Sequence, residues 1–146
     1  MAQTVKIISD STCDLSKELV EKYDITILPL HILLGEDEYR DGVDITPEEI
    51  FRWSDENKTT PKTSAPSLTE AMEVMQPFVE EGREIICFSI SASMSTSGNV
   101  MRLAAEELEA SDKVTIINSA DLSTGIGLQV IQAAILASEG KTAAEI

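Results

Sequence analysis

Short uninterrupted apolar runs alternate along this chain with longer stretches in which apolar positions recur every three or four residues. VKIISD (Val5 to Asp10), EIICFSI (Glu84 to Ile90) and KVTIINS (Lys113 to Ser119) read as strands. Runs apolar throughout fit a parallel sheet covered on both faces. Between them, LSKELVEKY keeps Leu15, Leu19 and Val20 at helical spacing, with Asp14 or Ser16 placed to cap its orphan amides. DITPEEIFRWSDEN offers Thr46 as N-cap, Pro47 at the first helical position and Glu49 at the third. Ser67 and Glu70 repeat that reciprocal cap for SLTEAMEVMQPFVEEG, which is predicted to kink or stop early at Pro77 and to end at Gly82. SGNVMRLAAEELEAS and STGIGLQVIQAAILASEG predict two further helices. ITILPLHILLG (Ile25 to Gly35) predicts a second strand in which Pro29 implies an edge, bulge or bend, and GEDEYRDG predicts a hairpin-like loop.

Strand and helix alternate throughout, so the predicted fold is α/β: an open, mostly parallel sheet flanked by helices. The 146 residues make one domain, with no internal repeat. The closing GKTAAEI places Thr142 as a cap with a single helical turn behind it, and one turn is not viable alone. The expectation is the front portion of a longer protein.

Charge narrows the partners. With 26 acidic against 11 basic residues the formal charge is -15, which opposes nucleic acid and anionic membranes. No stretch approaches the roughly 20 apolar residues of a membrane span, so a cytoplasmic location is expected. Cys13 and Cys87 are widely spaced and read as reduced thiols, and the single histidine, His31, lies in a strand-like run where a structural role is ordinary.

In open parallel sheets ligands sit beyond the carboxyl ends of strands. Three strand-to-helix loops here are hydroxyl-rich: SDST (Ser9 to Thr12, including Ser11), SASMSTS (Ser91 to Ser97) and SADLSTG (Ser119 to Gly125). TSAPS (Thr63 to Ser67) also leads into a helix, and Lys62 is the only basic residue nearby. Any one loop of this kind reads simply as a helix cap. Four together suit an anionic head group held by neutral hydroxyls and helix amino termini. Asp10 and Asp14 stand four apart where phosphatase carboxylates stand two apart, no Gly-x-Ser-x-Gly elbow occurs, and no phosphate-cradling Gly loop is present. The chemistry points to binding, with no catalytic residue, metal or cofactor expected.

ISDSTCDL, ILPLHI, YRDGVDITPEEIF, PKTSAPS, ISASMSTSGN, INSADLSTGIGL and ASEGKTAAEI, in that order, resemble the DegV family, fatty-acid-binding subunits of bacterial fatty acid kinase. TSAPS is similar to the family's Thr-Ser-x-Pro-Ser signature. The resemblance implies one bound long-chain fatty acid, its carboxylate held by hydroxyls and presented to a separate kinase catalytic subunit that forms the acyl phosphate. The carrier itself would not be an enzyme. Carried over by motif, the carboxylate ligands are Thr63 and Ser95, with Ser64 and Ser93 alongside; Thr96, Ser97, Ser11, Asn118 and Ser119 are secondary candidates. The chain departs from the family loop Ser-Ser-x-Leu-Ser-Gly-Thr at Ala92, Thr96 and Ser97, and Asn118 stands where a carboxylate is usual. Family members are about twice as long, so the resemblance places this chain as a DegV-type first domain, the second being absent. No membrane-spanning segment is implied, and transient membrane contact stays open. Two other classes stay open beside the carrier: an enzyme on a small anion (phosphatase or acyl transferase), or a truncated domain without binding activity.

Overall fold

The computed structural model describes residues 4–146. Its main sheet has four parallel strands in the order β2-β1-β6-β7: β1 Val5–Asp10, β2 Thr26–Leu28, β6 Glu84–Ser89 and β7 Val114–Asn118. Helix α5 (Thr124–Ser138) covers one face, packing Ile126, Val130 and Ala134 on Val5, Ile7, Ile86 and Phe88. α3 (Leu68–Glu80) and α4 (Ser97–Glu107) cover the other, where Met75, Met101 and Ala104 meet Ile8, Ile85 and Cys87. Covering on both faces explains the unbroken apolar runs of β1 and β6. β1 also buries Lys6, Ser9 and Asp10; Lys6 is 2% exposed, with its ammonium on Asp24 and over the Phe78 ring.

Three helices start on side-chain caps. Ser16 caps α1 (Lys17–Lys22), Thr46 and Glu49 close a reciprocal box on α2 (Pro47–Asn57), and Ser67 with Glu70 does the same on α3. Asp14, the other candidate cap for α1, instead takes a left-handed conformation with φ 50 and ends the Ser11–Cys13 3-10 turn. Pro77 does not stop α3, which continues to Glu80. The carbonyl that Pro77 leaves without a donor belongs to exposed Glu73, where water can replace it.

The expected strand from Ile25 to Gly35 is split. Pro29 offers no amide, and the amide of Leu30 is taken by the Ser11 hydroxyl at 3.0 Å, so the chain leaves the main sheet there. It re-enters as β3 (His31–Leu34) in a second, antiparallel sheet of order β4-β3-β5, with β4 at Asp37–Arg40. The third member, β5 (Lys62–Ser64), lies inside the stretch read from sequence as a helix-leading loop. It is an edge strand of three exposed residues, too short and too polar to show a strand period, and the amide-less Pro66 follows it.

Candidate functional site

The carboxyl ends of β1 and β6 face the small sheet across a cleft of about 650 Å³. Leu30, Ile32 and Ile90, each no more than 6% exposed, give it an apolar floor. Met94 and Leu122 line it while standing 61% and 47% exposed, so two large apolar side chains meet solvent beside it. Thr63 and Ser64 form one wall, held in place because β5 pairs with β3 in the register Ile32↔Thr63 and His31↔Ser64. Ser95 and Thr96 form the opposite wall.

That second wall is positioned by a buried carboxylate. Asp10, 0% exposed at the end of β1, accepts the Ile90 amide at 2.8 Å and the Ser97 hydroxyl at 3.0 Å on one oxygen. Its other oxygen accepts the amide and hydroxyl of Thr12. One side chain thus joins the turn after β1, the start of the 90–97 loop and the head of α4. Within the loop, Met94 and Ser95 turn back onto the Ser91 carbonyl, and the Ser97 amide donates to the Ser95 hydroxyl oxygen at 3.2 Å. The Ser95 proton stays free to donate.

Of the residues singled out from sequence, Thr63, Ser64, Ser95 and Thr96 come together around the cleft. Ser93 is exposed on the same loop but does not line it. Ser97 is buried and committed to Asp10, and Ser11 is committed to the Leu30 amide. The Asn118 carbonyl oxygen accepts the amides of Ala92 and Ala120, and the Ser119 hydroxyl accepts the Asp121 amide; both shape the loop after β7.

Sequence reasoning placed Thr12 in a hydroxyl-rich loop without a role of its own, and gave no place at the site to Asp41 or the apolar floor. Asp41 lines the cleft with its carboxyl held above the ordinary carboxylate range: burial is the main cause, the nearby Asp14 and Asp10 charges add to it, and a hydrogen bond from Ser11 opposes it. YRDG belongs to a block that carries the resemblance, but the place of Asp41 at the cleft is set only by the docking of the small sheet. His31 carries a larger role than an ordinary strand histidine. Its Nδ1 meets Glu38 at 2.5 Å and its Nε2 meets Glu70 at 2.8 Å, tying β3 to both β4 and the first turn of α3.

The loop after β7 is strained where it passes the site. Ser123 has φ 54 and ψ −127, a region that costs a non-glycine residue roughly 1–3 kcal/mol. Its hydroxyl donates to Asp14 at 2.6 Å, which holds that loop against the turn after β1. Gly127 permits the same approach one turn into α5, since a Cβ there would stand 2.8 Å from the Cys13 carbonyl oxygen. Cys13 and Cys87 are both free and buried, and burial pushes both thiols up. Among the described residues no helix is long and apolar enough to cross a membrane.

Comparison with known proteins gives one consistent picture. A family model described as "Uncharacterised protein, DegV family" matches residues 4–146. A DegV domain-containing protein of Clostridium perfringens is 41% identical over 138 residues, covering 94% of this chain and 49% of that protein. One from Clostridium acetobutylicum is 34% identical over 144 residues, covering 99% and 51%. The chain spans about half the length of these relatives. Among solved structures, a stearic acid-binding protein from Eubacterium ventriosum superposes with a TM-score of 0.88 at 38% identity, over 97% of this chain and 50% of that one. A fatty-acid-binding DegV family protein from Thermus thermophilus gives a TM-score of 0.88 at 31% identity, with the same coverage.

Proposed function

This chain belongs to the DegV family, and from that premise we propose that its cleft holds the carboxylate end of a long-chain fatty acid. Thr63, Ser64 and Ser95 donate to the carboxylate, and the acyl chain starts along the Leu30, Ile32 and Ile90 floor. The role is that of a carrier that presents the carboxylate to a separate kinase subunit for acyl phosphate formation, with no chemistry of its own.

One observation carries the reading: hydroxyls on the edge strand of the small sheet and on the loop after β6 face each other over an apolar floor, beside exposed Met94 and Leu122. The hydroxyls of Thr63 and Ser64 make no hydrogen bond among the described residues, and no basic residue lines the cleft. Such a wall suits an anion whose charge is met by oriented neutral donors. The magnitudes divide the work. About fifteen methylenes at roughly 0.8 kcal/mol each supply on the order of 10 kcal/mol before ordering costs. Each hydrogen bond to the carboxylate adds only about 1.5–3 kcal/mol. The tail sets the affinity and the hydroxyls set which end faces outward.

The test is native mass spectrometry of the purified chain, with solvent extraction and lipid identification, on wild type, Thr63→Val and Ser95→Ala. Wild type is expected to retain long-chain fatty acid. Each variant is expected to lose about tenfold or more in affinity, the value of one hydrogen bond to a charged group. Equal retention in all three refutes the assignment of the hydroxyls.

A further inference from the structure

Behind the Ser95–Thr96 wall lies another pocket of about 410 Å³, which the head-group reading does not use. It opens at the carboxyl ends of β6 and β7, against the first turn of α4. Four groups of donors converge there. The Ser97 amide is satisfied by Ser95, while the amides of Gly98 and Asn99 have no acceptor among the described residues. They sit at the positive end of an 11-residue helix. Ser89 lines the pocket, is 1% exposed, and its hydroxyl has no hydrogen-bond partner among the described residues. The hydroxyl is therefore available to donate to an oxygen held in the pocket. The Gly98 position keeps it accessible: a Cβ there would stand 2.6 Å from the Ser89 oxygen.

The remaining donors are Asn118 and Arg102. The Asn118 carbonyl oxygen is occupied by two backbone amides, which leaves its N–H groups as donors. Arg102 sits one turn into α4, paired with Glu106 and with the Asn99 carbonyl oxygen at 2.8 Å. That pair is exposed and contributes little, so turning the guanidinium inward costs little. No carboxylate lines the pocket.

We propose that this pocket binds a phosphate group, either free phosphate or the monoester of a lipid. Two free helix amides, a buried hydroxyl, a carboxamide and a guanidinium outnumber the acceptor sites of a carboxylate and match a tetrahedral oxyanion. Ser95 and Thr96 line both the pocket and the cleft, so a phosphoryl group here would adjoin a carboxylate there. That adjacency rests on the fatty-acid reading; the pocket itself does not.

The experiment is a phosphorus NMR titration of the full chain with inorganic phosphate and, separately, with decyl phosphate. Wild type, Ser89→Ala, Arg102→Gln and Thr63→Val are compared after thermal melting shows each to be folded. Inorganic phosphate is expected to bind wild type and Thr63→Val equally, and to weaken about fivefold or more in Ser89→Ala and in Arg102→Gln, the loss expected of one hydrogen bond. Decyl phosphate binding more tightly than inorganic phosphate, and sensitive to Arg102→Gln, assigns the pocket to a lipid phosphate. Decyl phosphate binding no more tightly supports a free-phosphate site, whatever the fatty-acid result. No perturbation at millimolar phosphate overturns the proposal, and so does equal binding in Ser89→Ala and Arg102→Gln. Loss of decyl phosphate binding in Thr63→Val alone would place the phosphate in the cleft, which also overturns it.

Discussion

Replacing Asp10 with alanine is expected to be among the most damaging single changes in this domain. The carboxylate is fully buried and takes four hydrogen bonds, from the Thr12 amide and hydroxyl, the Ile90 amide and the Ser97 hydroxyl. Thr12 is only half-buried, so water can replace what it loses. Ile90 and Ser97 are buried, and each would be left with an orphaned donor at about 1–3 kcal/mol, or roughly 4 kcal/mol for the pair. With a urea slope of about 2 kcal/mol/M, the unfolding midpoint should fall by about 2 M. Asp10→Asn keeps an oxygen but turns an N–H group toward a donor, and should recover part of that loss. The sharper check is Asp10→Ala combined with Ser97→Ala. Removing the Ser97 hydroxyl removes one of the orphaned donors, so the double variant should be no less stable than Asp10→Ala alone. A midpoint shift below about 0.5 M for Asp10→Ala at unchanged slope, or additive losses in the double variant, would refute the account of Asp10 as the junction of the site.

Two further changes test the surroundings of the cleft. Asp41→Asn removes a carboxylate that lines it, and since like charges a few ångströms apart cost on the order of 1 kcal/mol even in water, fatty-acid affinity should rise about fivefold; an unchanged dissociation constant in a fluorescence-displacement assay would show that Asp41 does not face the ligand. His31 is held above its ordinary pKa of 6.5, first by the hydrogen bond to Glu38 and then by Glu70, against burial that pulls the other way. The charged groups around it are Glu38 and Arg40 on β4, Glu70 on α3, and Asp44, whose own carboxyl is lowered to about 2 by Arg40. A raised folded-state pKa means that the stabilisation is complete below about pH 6.5 and fades as pH rises through the raised value. The stability difference between wild type and His31→Gln should therefore shrink between pH 6 and pH 9, and a difference that stays constant in urea unfolding would show that the imidazolium contributes nothing.

Apart from β2, the main sheet was legible because its elements carry local signals. β1, β6 and β7 are apolar runs, and α2 and α3 announce themselves by reciprocal caps. The small sheet was not legible, for physical reasons that differ by residue. β5 is three polar residues whose strand character comes wholly from pairing with β3, and the break at Pro29–Leu30 depends on the Leu30 amide donating to the hydroxyl of Ser11, 19 residues earlier. Site residues separated along the same line. The family motifs pointed to Thr63, Ser64 and Ser95, which line the cleft, whereas the commitments of Ser97 and Ser11 are set by partners distant in sequence. Asp41 lies in the YRDGVDITPEEIF block that carries the resemblance, but nothing in that block gave it a role in the site.

The two walls of the cleft belong to bodies of unequal firmness. The 90–97 wall is joined through Asp10 to a sheet covered on both faces, whereas Thr63 sits on the edge of a sheet whose own core is Ile32, Leu34 and Ile45, supported by Tyr39, Ile50 and Trp53. α2 over that sheet has no buried residue. Amide hydrogens in 31–64 should exchange through partial openings well below the free energy of global unfolding, while those of β1 and β6 should wait for the whole domain. A ligand touching both walls would then do more than fill space: by bridging them it would transfer the slower exchange of one to the other.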